Sequence, residues 1–370
     1  MRILLLGDYS NVHATLAAGL KKLGHQAVVV SNGDYWKNYP RDIDIFRPKG
    51  KLSTLRYVLR LITLLPRLRG FDVVQLINPV FLDLRAPRIT PFYRFIRRHN
   101  GLLSLGAFGM DHYWVKTCIE DKAFRYSDFN VGSTLRLEIT ENQLLVRDWL
   151  YGEKAPLSQL VAREADCIVS GLYEYDRCYR PRFPEKTTFI PFPINPEVVT
   201  PKQPRTEGDP VRFFIGIQIR RTEYKGTDIM LRALKRVVAD YPGRCTMQVA
   251  ENVPFQQYQY MMDHSDVLLD QLYSYTPAMN ALLAMAKGLV VVGGGEPEGY
   301  DILGEHELRP IVNVEPTEES VYHELEQLVL HPERVDSLSQ QSVLYIHRHH
   351  HYLHVAQQYI DLWTRLASCS

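Results

Sequence analysis

Four groups of residues in this chain have types and spacings suited to chemistry. The stretch from Gly216 to Gly226 (GIQIRRTEYKG) follows an apolar run and carries Arg220, Arg221 and Lys225 before a helical pattern begins. Three cations in one such loop can meet an anion, and each charge-assisted bond contributes about 1.5–3 kcal/mol. The alternative is a solvated basic loop. From Leu268 to Tyr300 the sequence LLDQLYSYTPAMNALLAMAKGLVVVGGGEPEGY reads as strand, loop, helix, strand and glycine turn. Pro277 suits a helix start because its missing N–H would be unpaired there. Ala278 to Lys287 favours helix, and Gly288 suits a left-handed cap. Gly293, Gly294 and Gly295 allow a close backbone approach, and a helix start facing a glycine-rich strand end is a ready anion site. Glu296 and Glu298 follow, either able to accept two hydroxyl bonds from a ribose or sugar.

Asp111 and His112 lie in the segment Gly106 to Trp114, just past an apolar run. Ligands of open α/β sheets sit outside the carboxyl ends of strands. A carboxylate there could support positive charge, and a neutral imidazole could bond a hydroxyl; the competing reading is a histidine satisfied by the fold. The turn Gly7 to Asn11 (GDYSN) lacks Gly-x-Gly-x-x-Gly, which argues against a dinucleotide enzyme, and Ser10 and Asn11 suit helix caps. His347 with His351, and His350 with His354, fall one helical turn apart. A zinc site needs further ligands, none is evident, and a surface histidine cluster with no metal is expected.

These groups must be held by a large framework. At 370 residues, with 45% apolar and 23% charged residues, the chain should form two soluble domains. A net charge of +1 and the absence of aromatic–basic modules argue against nucleic acid as a partner. Five scattered cysteines without Cys-x-x-Cys point to free thiols in a reducing cytoplasm. No uncharged run is long enough to span a bilayer. Short apolar runs alternate with helical patterns, the signature of parallel sheets covered by helices. Strands are expected at Ile3–Leu6, Ala27–Val30, Val73–Ile77, Leu102–Leu105, Cys167–Val169 and Thr187–Ile190. A proline-dense linker follows at 195–210. Beyond it come strands at Val211–Ile217 and Thr246–Ala250, with helices at Lys225–Asp240 and near Pro254–His264. The expected division is a first domain at 1–194, a second at 211–350, and a last helix at 351–370 that returns to the first domain.

The segment AMAKG followed by a β-branched run resembles the donor-sugar segment of family-four glycosyltransferases, and the element order is similar over most of the chain. The resemblance implies the GT-B architecture, α/β with two Rossmann-like domains facing across a cleft, bordered by Ser10 and Asn11. It implies a retaining, metal-independent transferase with no cofactor, taking a nucleoside-diphosphate sugar as co-substrate for polysaccharide biosynthesis on a glycan or lipid-linked acceptor. Arg220, Arg221, Lys225 and Gly226 would hold the diphosphate; Tyr275, Thr276, Asn280, Glu296 and Glu298 would bind the donor; Asp111 and His112 would be catalytic. The family helix carries two glutamates about two turns apart, and here those places are Tyr275 and Leu283. That departure keeps two alternatives in play: an inactive sugar-nucleotide-binding protein and a sugar-nucleotide epimerase. Lys116 to Gly152, with Tyr126, Arg136 and Trp149, is a candidate acceptor wall. Leu52 to Arg69 is basic and apolar together, which fits a peripheral membrane helix or a sheet-covering helix with snorkelling arginines.

Overall fold

The apolar runs fall where strands form. A computed structural model describes residues 1–368, apart from the side chains of Trp36 and Arg220, and the chain divides into two compact units. The first unit comprises residues 1–117, 145–193 and 352–368. Its sheet has seven parallel strands in the spatial order 187–189, 167–170, 102–107, 73–76, 2–6, 26–31 and 43–44. That is the doubly wound order, with its switch between strands Arg2–Leu6 and Val73–Leu76. The strands are almost continuously buried, as parallel strands covered on both faces must be. Helix Tyr352–Ala367 packs on helix Val12–Lys22. Gly19 makes that approach possible: a Cβ there would lie 2.6 Å from the Tyr352 carbonyl oxygen.

The second unit comprises 118–144 and 194–351. Its five parallel strands run in the order 245–251, 211–217, 267–269, 290–293 and 311–313. This is the other common doubly wound order, and its switch lies between the strands Val211–Ile217 and Val267–Leu269. The core is built by Phe213, Ile215, Val267, Leu269, Val290 and Val292 against the helices Thr227–Asp240 and Glu318–Leu330.

Three expectations change in detail. The helix expected at Lys225–Asp240 is two helices, Thr222–Lys225 and Thr227–Asp240, broken where Gly226 adopts φ +73°. Pro277 does not open its helix; Ala278 is the extended N-cap, and the helix runs Met279–Ala286. The residues 118–144, read from sequence as irregular and part of the first half, form a small antiparallel sheet (126–127, 130–131, 134–135) that belongs to the second unit. Two-residue strands leave no periodicity to read.

Candidate functional site

In the second unit the candidate residues converge at the carboxyl ends of strands Val211–Ile217, Val267–Leu269 and Val290–Gly293, beside the topological switch. Gly226 is required there: its positive φ favours glycine, and a Cβ would press Leu272 Cβ and the Tyr273 ring, each at 2.9 Å. The amide of Leu272 donates to the Lys225 carbonyl at 3.0 Å, binding the basic loop to the loop after the central strand. Lys225 is half-buried, and its charge acts on Asp270, whose carboxyl burial nonetheless pushes upward. Asn280 donates to Asp270 Oδ1 at 3.0 Å and accepts from Tyr258 Oη at 3.1 Å, so its amide both gives and receives. Ala278 offers no side-chain cap to the first-turn amides of helix Met279–Ala286. Thr276 is buried, with its methyl where a Gly299 side chain would start. The glycine run admits the chain's own loop: a Cβ on Gly294 would sit 2.2 Å from the Ser274 carbonyl oxygen.

Arg221 is committed within the unit, donating to Glu141 Oε1 at 2.9 Å and stacking 4.5 Å from the Tyr224 ring. The side chain of Arg220 lies outside the described residues. Glu296 and Glu298 are likewise engaged, which corrects their reading as open acceptors. Arg125 donates to both, at 2.6 Å to Glu296 and 3.2 Å to Glu298 Oε2. Its guanidinium lies 4.9 Å from the Tyr275 ring centre, and its amide donates to Tyr275 Oη at 2.8 Å. Tyr126 Oη also donates to Glu296. Tyr275, standing where the family pattern has a glutamate, is therefore a buried platform for Arg125. The Arg125 guanidinium holds the Glu298 carboxyl below its usual value against the opposing pull of burial.

The three residues singled out in the expected acceptor wall, Tyr126, Arg136 and Trp149, are buried. Arg136 is 7% exposed, lies 3.5 Å from the Tyr273 ring centre, and donates to the carbonyls of Asp128 and Glu223. Trp149 is buried in the first unit and accepts at its carbonyl from His112 Nδ1, 2.8 Å away. Sequence reasoning missed Arg125 because a lone arginine in FRYSDF carries no spacing signal.

In the first unit, Asp111 is fully buried and caps helix His112–Lys116, accepting from the Trp114 amide at 2.8 Å and from Tyr179 Oη at 2.7 Å. Burial lifts its carboxyl to about 6, against those donors. His112 is 6% exposed, and both its ring nitrogens are engaged, with Trp149 O and with Gln159 Nε2 at 3.1 Å. These bonds give Asp111 and His112 the work of holding their loop. The first turn is also revised. Ser10 and Asn11 have positive φ, and Asn11 caps helix Val12–Lys22 without a side-chain bond. Asp8 is the acceptor for that helix, at 3.0 Å from the His13 amide and 3.2 Å from the Ala14 amide. Burial lifts Asp8 to about 7 and depresses His13 to about 3. Ser10 is held through its amide by Asp34 and its hydroxyl by Lys37.

The histidine cluster is not a continuous helical face. The chain breaks at His351, and His350 is buried. His349 Nε2 meets Glu305 at 2.6 Å, the acidic partner that sequence did not reveal. Among the described residues no group of three or more His, Cys, Asp or Glu is placed to hold a metal ion. The four described cysteines are buried thiols, and no described helix is long and apolar enough to cross a membrane.

No family model and no curated protein matches the sequence. Solved structures do match across the whole chain. Sucrose-phosphate synthase from Thermosynechococcus elongatus superposes with a TM-score of 0.62 at 14% identity, covering 100% of both chains. Anabaena HepE, solved with UDP and glucose, gives 0.58 at 12% identity, covering 99% of this chain and 100% of that one. The UDP-GlcNAc 2-epimerase of Neisseria meningitidis, bound to UDP-GlcNAc, gives 0.54 at 10% identity, covering 99% and 100%. The chain has the two-domain GT-B fold.

Proposed function

We propose that this protein is a retaining glycosyltransferase of the family-four kind, moving a sugar from a nucleoside-diphosphate sugar to a glycan or lipid-linked acceptor. One observation carries the reading. In the second unit, Lys225 and the start of helix Met279–Ala286 flank the same strand ends at the sheet's switch point. That is where a doubly wound sheet binds its ligand and where a helix start favours an anion. HepE, which shares the fold, has been solved with UDP-glucose. When the glycosidic bond to the diphosphate breaks, negative charge grows on the departing oxygen, and preorganised cations favour that state over the bound donor. Lys225 is assigned this role. Arg221 joins if it exchanges Glu141 for phosphate, and Arg220 stands next to it in the same loop. The departing phosphate would itself help take the acceptor's proton.

Glu298, the more exposed of the paired glutamates, keeps lone pairs beyond its bonds to Arg125 and is assigned to donor hydroxyls. Thr276 and Asn280 line the same end. Asp111 and His112 are assigned as positioning residues for the loop beyond strand Leu102–Ala107.

The epimerase reading keeps standing because UDP-GlcNAc 2-epimerases share the fold. A panel of nucleoside-diphosphate sugars, scored by thermal shift and by NMR of the products, tests both. The transferase reading expects one donor to raise the melting temperature and slow release of nucleoside diphosphate as water substitutes for the acceptor. Conversion of the donor to an epimer without acceptor would replace it with the epimerase. Binding with no turnover under any condition would leave a binding protein.

A further inference from the structure

The helix Ser53–Leu64 has two apolar faces, and only one of them is used. Tyr57 and Leu61 are buried against the sheet, and Leu61, Leu65 and Leu68 line an apolar crevice with Phe92 and Ile96 of helix Ala86–His99. On the opposite side Leu52, Leu55, Leu59 and Ile62 recur at helical spacing, and they are 57%, 54%, 53% and 49% exposed. A sheet-covering helix has no use for such a row. Single exposed leucines are ordinary, but four on one stripe form a patch that marks a contact surface.

The charge around the patch says what it would contact. From Arg47 to Met110 the chain holds twelve lysines and arginines and two carboxylates, Asp72 and Asp83, within a molecule of net charge +1. Arg47 is turned inward, donating to the Asp83 carbonyl and Thr54, and Arg97 is paired with Asp166. Arg60 comes no nearer than 4.0 Å to Asp44, which Arg41 already holds. Arg56, Arg67, Arg94 and Arg98 are exposed and make no ion pair among the described residues. An exposed leucine row flanked by unpaired arginines, on two neighbouring helices, has the chemistry of a surface that lies in a headgroup layer.

We infer that this face of the first unit docks on an anionic lipid bilayer, with Leu52, Leu55, Leu59 and Ile62 entering the headgroup layer and the arginines meeting lipid phosphates. The helix lies on the surface and does not cross it. The inference is independent of the donor reading, since it concerns the first unit alone.

Cosedimentation with vesicles tests it, using the full chain at low salt. Vesicles of 30% phosphatidylglycerol in phosphatidylcholine should carry the protein down; pure phosphatidylcholine should bind it at least tenfold less. Leu55→Ser/Leu59→Ser should weaken binding to the anionic vesicles at least tenfold with an unchanged circular dichroism spectrum, because both side chains already face solvent. Arg56→Gln/Arg94→Gln should lower binding and flatten its salt dependence. Equal sedimentation with both vesicle types, or no effect of the leucine pair, would overturn the inference. So would a concentration-dependent dimer in light scattering that the leucine pair abolishes, which would assign the patch to a second copy of the chain.

Discussion

Replacing Glu305 with glutamine should make the second unit less stable at neutral pH and remove much of its acid sensitivity. The carboxylate is 1% exposed and accepts from the amides of Glu307 at 2.7 Å and Leu308 at 2.9 Å, from His349 at 2.6 Å, and from Arg348 at 3.0 Å. Burial pulls its pKa upward, but these donors outweigh burial and hold it at about 2, against 4.5 for a free glutamate. Fully converted, that depression amounts to about 3 kcal/mol. Arg348 is half exposed and its share is screened, so about 2 kcal/mol is the expected loss for Glu305→Gln at pH 7. The sign follows from a folded pKa below the unfolded one. The stabilisation is complete above about 4.5, and it disappears as pH falls from there through about 2. The difference between parent and variant should therefore fall to about half near pH 3. All four tryptophans lie in the first unit, so their fluorescence would miss the effect. Urea unfolding by far-ultraviolet circular dichroism, with hydrogen exchange at Glu307 and Leu308, reads the right region. Parallel pH profiles for the two proteins from pH 7 to 3 would refute the reasoning.

Asp8 should behave in the opposite sense. Its folded pKa is raised to about 7, so its charge opposes folding increasingly as pH rises from about 4 to 7. Asp8→Asn should accordingly be less destabilising at pH 8 than at pH 5 in urea titrations followed by tryptophan fluorescence. Asp111→Ala removes a helix cap and strands the Tyr179 hydroxyl, and should lower stability by about 2–4 kcal/mol, with Asp111→Asn milder. Arg125→Ala should speed hydrogen exchange across residues 124–136 while leaving the exchange of strand Val290–Gly293 unchanged, since Arg125 ties that segment to Glu296 and Glu298.

The parallel sheets were legible because their strands are buried on both faces and read as apolar runs: Val211–Ile217 and Val73–Leu76 fall where the pattern puts them within a residue. The break at Gly226 was not legible, since a lone glycine within a helical pattern does not announce a positive φ. What sequence could not supply was pairing across distance. Arg125 and Glu296 are 171 residues apart, and Glu305 and His349 are 44 apart. Asp8, Asp111 and His112 carry polar types that suit chemistry and capping equally, and only the donors around them separate the two. The exposed face of Ser53–Leu64 is a similar case, because a helical wheel shows two apolar faces without showing which one the sheet takes.

The central claim is that the second unit binds a nucleoside diphosphate through the basic loop at its switch point. Calorimetry of UDP with the parent and with Lys225→Ala measures it directly. The account predicts saturable binding by the parent and an affinity about 30- to 150-fold lower in the variant, a loss of about 2–3 kcal/mol for one charge-assisted contact, with the variant still folded by circular dichroism. Binding of equal strength in both proteins would contradict it.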